Sequence, residues 1–226
     1  MMTALLAVFI LIAGYLIGSI MTAVKIAKSK SKDIRSYGSG NAGSTNVLRA
    51  FGWKWGLICF AADSAKGALS VGLGILLGYI APHVFPNAVF INELPRFLGC
   101  VGLLGAVLGH LLPVFYDFRG GKCVAVAAGG FLVLAPVQLL IALGVAIILI
   151  LITKMVSVGA LIGTLLVATL VIIKHHDSLP LVVVSVLVVA IIVIAHLPNI
   201  QRIVEGRERK LEQTEWETHD EDNGKS

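Results

Sequence analysis

Apolar runs of membrane-crossing length follow one another through most of this chain, and they leave few folds open. A helix crosses the hydrocarbon core of a bilayer with about 20 apolar residues, fewer when it is bent or buried. Residues 3–24, 53–80, 97–115, 156–173 and 179–195 are runs of that order. Residues 124–152 form one further run, broken by Pro136. A short helix to residue 135, a tight external turn at Pro136 and a return helix to 152 make it a hairpin. One long kinked helix is the alternative, and it would reverse everything after it. Lys154 favours the hairpin, because it then falls on the cytoplasmic side. The composition agrees: 14% of residues are charged, where a soluble domain has about 25%. The first run is too long for a cleavable signal peptide and has no basic region before it. The expected fold is an all-α polytopic membrane protein of seven transmembrane helices, N-terminus outside and C-terminus cytoplasmic. Residues 1–209 would form the membrane domain, and the charged stretch 210–226 a disordered cytoplasmic tail.

Charge sets the sidedness. Lys25, Lys28, Lys30, Lys32 and Arg35 stand against Asp33 alone after the first run, which marks that loop as cytoplasmic. The net charge of +5 therefore reports orientation and attraction to anionic lipid, not a nucleic-acid partner. Cys59, Cys100 and Cys123 are scattered without metal-ligand spacing, and His175 and His176 have no partner ligands nearby, so no metal is expected.

The longest polar interruption runs from Gly38 to Arg49, GSGNAGSTNVLR. Its glycines let the backbone take positive φ and let a ligand approach. Ser39, Gly40, Asn41, Thr45 and Asn46 offer hydrogen-bonding groups, and Arg49 a fixed cationic fork that suits phosphate. Asp63 and Lys66 lie at i and i+3 inside the second run. They are either an intrahelical ion pair holding the bundle or a ligand-binding pair. His110 closes the third run, where a lone histidine commonly serves structure. Gly120 and Gly121 bend the chain before Lys122 at the start of a new helix, a plausible anion site. The full P-loop spacing is missing, so no nucleotide triphosphate is implied. Ser157 caps a helix or bonds a ligand, and His196 and Asn199 end the final run. The polar loop, His110, the turn at 120–122, Ser157, His196 and Asn199 all fall on the cytoplasmic face, whereas the external turns are nearly featureless.

The ordered set GSGNxGxTNxxR at 38–49, DxxKG at 63–67, GHxxPxF at 109–115 with GGK at 120–122 resembles the three motifs of the bacterial membrane acyl-phosphate:glycerol-3-phosphate acyltransferases. Val156-Ser157, His196-x-x-Asn199-Ile200-x-Arg202 and Gly206-Arg207-Glu208 are similar to that family's later signatures. The resemblance implies transfer of a fatty acyl group from acyl phosphate to the sn-1 hydroxyl of glycerol 3-phosphate, giving lysophosphatidic acid and phosphate. It also implies an inner-membrane location, an active site on the cytoplasmic side, no cofactor, and supply by a soluble enzyme that makes acyl phosphate. Ser39, Arg49, Lys122, His196 and Asn199 would be catalytic. Gly40, Asn41, Thr45, Asn46, Asp63, Lys66, His110, Gly120, Gly121, Ser157, Arg202 and Glu208 would bind substrate.

Two departures stand out. Cys123 replaces the family's usual glycine; it is strained if that position needs positive φ, and it fits if the position is already helical, which is the expectation. Pro198 should stiffen the turn that carries Asn199. Acyl phosphate is a mixed anhydride, so direct attack by the glycerol hydroxyl needs no enzyme nucleophile. The base would be His196, His110 or a substrate phosphate oxygen. A transporter of phosphorylated metabolites is the rival class, but neither internal repeats nor midplane breaks with polar groups stand out. A noncatalytic scaffold leaves the one-sided phosphate-suited groups without explanation.

Overall fold

Helices follow the apolar runs, and the one over Trp53–Val84 continues through Asp63, Lys66 and Pro82. The computed structural model describes residues 1–88 and 90–211, and among them no strand occurs. The helices are α1 Met2–Gly18, α2 Thr22–Ser29, α3 Ser44–Phe51, α4 Trp53–Val84, α5 Leu94–Leu111, α6 Val124–Leu134, α7 Pro136–Thr153, α8 Val156–Lys174, α9 Leu179–Ala195 and α10 Leu197–Val204. The expected tail, 212–226, lies outside the described residues.

Five of these segments are long and apolar enough to cross a membrane, α1 with α2 counting as one. The pair α9 and α10, bent by 58°, makes a sixth if taken as one span. The expected seventh, α6, is helical but only 11 residues long, roughly half a bilayer core at 1.5 Å per residue. The run 124–152 is two helices, not one: Ala135 turns the chain at φ −151°, ψ 64° ahead of Pro136. Large apolar side chains remain exposed along α1 (Leu5, Val8, Phe9, Ile12) and α7 (Val137, Leu140, Ile141, Ile148). Such a belt suits hydrocarbon and not water.

The first run differs from the single helix expected over 3–24. It breaks at residues 19–21, and α2 begins afresh as a short amphipathic helix bearing Lys25 and Lys28. The cause lies 46 residues downstream: the Lys66 ammonium on α4 takes the carbonyls of Ile20 at 2.6 Å and Gly18 at 3.4 Å. Those are orphan acceptors at a helix end, and a buried cation satisfies them.

Small residues set the helix spacing, as is usual where lipid supplies no hydrophobic drive between helices. A Cβ at Gly129 of α6 would stand 1.7 Å from the Ser64 carbonyl of α4, and one at Gly67 of α4 would stand 1.9 Å from the Val126 carbonyl of α6. The α1–α5 and α4–α5 contacts are equally close at Gly109 and Gly102. Phe131, Leu103, Val107 and Val126 fill the main core. A second cluster, with Met21, Ile34, Val47 and Cys59, seats α2 and α3 against α4.

Candidate active site

The polar loop before α3 is held by one side chain. Asn46, in the first turn of α3, donates to the carbonyls of Ile34 (3.0 Å) and Tyr37 (2.9 Å) and accepts from the Ser39 amide at 3.3 Å. Three of the four hydrogen bonds its amide can make shape the loop. Gly38 and Gly40 take φ of +54° and +67°, the conformations for which glycine suits this turn. One turn further, Arg49 is 8% exposed. Its Nη2 donates to the carbonyls of Arg209 (3.3 Å) and Lys210 (3.5 Å), so the segment after α10 crosses back over this loop.

The second loop folds under His110. The Gly121 amide donates to the His110 carbonyl at 2.9 Å. A Cβ at Gly120 would meet that carbonyl at 2.0 Å, and one at Gly121 would meet His110 Nε2 at 2.3 Å. Both glycines thus permit close packing and present Lys122 beyond the turn. Cys123 is not helical, contrary to expectation. It caps α6 from the left-handed region at φ 65°, ψ −6°, which favours glycine. Burial raises its thiol pKa.

The ends of α8, α9 and α10 bring the third group of residues. Glu208 accepts from Asn199 Nδ2 at 2.7 Å, from Ser157 Oγ at 2.8 Å and from Arg202 Nε at 3.0 Å. Burial works to raise its pKa, but the hydrogen bonds from Asn199, Ser157 and Arg202 outweigh it and hold the carboxyl below its usual range. Asn199 accepts from the Lys122 ammonium through its side-chain oxygen. Asn199 thus links Lys122 to Glu208 and keeps one N–H and one oxygen lone pair for a further partner. Pro198 falls in the first turn of α10, where a missing N–H costs nothing, so it leaves this geometry intact. Burial lowers the Lys122 pKa to about 8, against the pull of Glu208.

The histidines differ in what they offer. His196 Nδ1 lies 2.8 Å from the Ile192 carbonyl. A carbonyl only accepts, so the proton sits on Nδ1 and the Nε2 lone pair of the neutral ring is available. His110 Nδ1 lies 3.2 Å from the Lys66 ammonium, which only donates, so His110 carries its proton on Nε2 and is a donor. Lys66 also pairs with Asp63 at 2.9 Å, and Thr22 Oγ1 donates to Asp63 at 2.9 Å. This buried chain ties α1, α2, α4 and α5 together.

One cavity of about 190 Å³ gathers these groups. Ser39, Asn41, Thr45, Asn46, Arg49, Asp63, His110, Lys122, Ser157, His196, Asn199, Arg202 and Glu208 line it. Gly40, Lys66, Gly120 and Gly121, named beside them from the sequence, do not; they shape the loops and the helix break behind the walls. Arg209 also lines the cavity, although the charged end of the chain carried no signal for it. Phe60, Val124, Leu143, Ala146 and Ala160 continue from this cavity into a second of about 70 Å³, walled by Phe131, Leu139, Gly159, Gly163 and Val167. A cationic, hydroxyl-bearing chamber thus lies beside an apolar slot between α4, α6, α7 and α8, with those five side chains in the walls of both.

A family model described as glycerol-3-phosphate acyltransferase matches residues 8–206. The glycerol-3-phosphate acyltransferase of Chlorobaculum tepidum is 34% identical over 224 residues, covering 89% of this chain and 95% of that protein. Glycerol-3-phosphate acyltransferase 2 of Bacillus anthracis is 38% identical over 203 residues, covering 89% and 97%. The fold is similar to the crystal structure of PlsY (YgiH), an integral membrane glycerol 3-phosphate acyltransferase, in its glycerol 3-phosphate form. The TM-score is 0.77 at 32% identity, covering 90% of this chain and 94% of that one. Its lysophosphatidic acid form gives a TM-score of 0.75. With motifs, fold and near full-length matches in agreement, the chain belongs to the glycerol-3-phosphate acyltransferase family.

Proposed function

We propose that this protein acylates the sn-1 hydroxyl of glycerol 3-phosphate with a fatty acyl group taken directly from acyl phosphate, the first step of phospholipid synthesis. The protein would cross the bacterial inner membrane seven times, N-terminus outside, with the reaction at the cytoplasmic face, fed by a soluble enzyme that makes acyl phosphate. The observation that carries this reading is the adjacency of the two cavities: a phosphate-suited chamber lined by Arg49 and Lys122 shares its wall with an apolar slot. A donor with an anionic head and a hydrocarbon tail matches that shape.

The chemistry asks little of the protein beyond placement. Two anionic substrates repel in a low-dielectric site, and Arg49 and Lys122 neutralise their phosphates. Ser39 and Thr45 orient the oxygens. The glycerol hydroxyl oxygen attacks the acyl carbon, the bond from that carbon to the phosphate oxygen breaks, and phosphate leaves with the electron pair. The hydroxyl proton passes to a phosphate oxygen or to His196 Nε2; His110, held as a donor by Lys66, is set aside as base. Effective positioning of this kind supplies up to about 7–11 kcal/mol of a barrier.

The test is a donor comparison. Purified protein is given glycerol 3-phosphate with palmitoyl phosphate, palmitoyl-CoA or a palmitoyl carrier-protein thioester. Lysophosphatidate is expected from palmitoyl phosphate alone. Turnover of either thioester at an equal rate would overturn the assignment of the donor.

A further inference from the structure

Arg35 stands in the sequence among several topology-setting cations. We infer that Arg35 is a positioning residue for the reaction: its guanidinium clasps the turn before Lys122 and thereby sets the two phosphate-binding loops in register. The inference rests on the function proposed above and adds a residue to it.

Its Nη2 donates to two carbonyls, Tyr116 at 3.0 Å and Arg119 at 2.7 Å. Those carbonyls bracket Asp117 and Phe118, both left-handed at φ 55° and 57°. Left-handed backbone is unfavourable for a non-glycine residue, and it persists only where the surroundings over-determine it. Neither side chain repays that cost by packing, since both are exposed. The clasp does hold them, together with the bonds from the Tyr116 and Phe118 amides to the Pro113 carbonyl.

On its other side, Arg35 is built into the first loop. Its amide bonds Asp33 at 3.0 Å. The neighbouring Ile34 is fully buried and its carbonyl receives Asn46, the side chain that shapes residues 38–46. One end of this residue is thus fixed to the loop that leads to Arg49, and the other to the turn that leads to Lys122. The Arg35 Nε is buried without a partner. A lysine would avoid that orphan donor, whose burial is unfavourable, and its ammonium has donors for both carbonyls, but those donors rotate freely where the planar guanidinium holds Nη2 in a fixed direction.

The test combines loss with rescue. Arg35→Met is made alone and with Asp117→Gly and Phe118→Gly, since glycine adopts the left-handed turn without a clasp. Arg35→Met is expected to raise the KM for glycerol 3-phosphate about ten- to a hundredfold, with a smaller change in kcat. Hydrogen exchange across 113–122 should quicken. The added glycines should restore most of the KM, which a merely stabilising role would not allow. If Arg35→Met fails to insert, Arg35→Lys is read in the same way, with an intermediate KM. Wild-type KM and exchange in either variant, or a KM loss that the glycines leave untouched, would overturn the inference. A wild-type protein that makes no lysophosphatidate would instead defeat the proposed reaction, while hydrogen exchange still reads the clasp.

Discussion

Lys122 donates its ammonium to the side-chain oxygen of Asn199, 77 residues further along the chain, and Asn199 is itself held by Glu208 at 2.7 Å. The cation at the turn before α6 is therefore aimed by the far end of the molecule. Asn199→Ala should free Lys122 and cost about 10²–10³ in kcat/KM. Asn199→Asp, which keeps an acceptor but repels Glu208, should be no better. Steady-state kinetics alongside a thermal melt separates this from unfolding.

Lys122 predicts an alkaline limb. Burial sets its pKa near 8 in the free protein, and kcat/KM reports free-enzyme groups. With glycerol 3-phosphate varied, kcat/KM should fall above about pH 8 as the ammonium is lost. Whatever activity Lys122→Arg retains should show no such fall, because guanidinium stays charged. An identical alkaline limb in both proteins would count against this assignment.

Glu208 should tie stability to pH in the opposite direction. Its carboxyl is held below the usual 4.5, so the folded state favours the charged form. That contribution is complete above about pH 4.5 and drains as pH falls through the folded value. Glu208→Gln should melt lower than wild type at neutral pH, by about 1–3 kcal/mol of lost buried hydrogen bonding. The two melting curves should converge in acid. A difference that stays constant with pH would contradict this.

Cys123 offers a backbone test. At φ 65° the position favours glycine over alanine by roughly 1–2 kcal/mol, part of it offset by glycine's freer unfolded chain. Cys123→Gly should therefore melt above Cys123→Ala, the reverse of a helix interior. Alanine melting higher would place residue 123 in ordinary helical backbone.

The helices were legible because a bilayer leaves a strong one-dimensional signal: apolar runs ended by Gly, Pro and Lys. The break at residues 19–21 was not, because its cause is a lysine arriving from α4. The site residues could be found by type and order, but their division of labour could not. Asn46 and Asn199 read as ligand groups, and each is also tied to protein partners far off in sequence or in the neighbouring loop. The positive φ of Cys123 had one signal, the glycine that the family usually carries there, and the cysteine itself gave no reason to prefer it over a helical start. Arg35 looked like any basic loop residue because its two acceptors are backbone carbonyls some 80 positions away, which carry no side-chain signature.

Direct transfer within one cavity is the central claim, and phosphate exchange tests it most sharply. Purified protein is incubated with palmitoyl phosphate and radiolabelled inorganic phosphate, first without glycerol 3-phosphate and then with it. Direct attack predicts no label in palmitoyl phosphate when the acceptor is absent, and equal amounts of lysophosphatidate and phosphate when it is present. Rapid labelling of palmitoyl phosphate without the acceptor would reveal an acyl-enzyme and contradict the account.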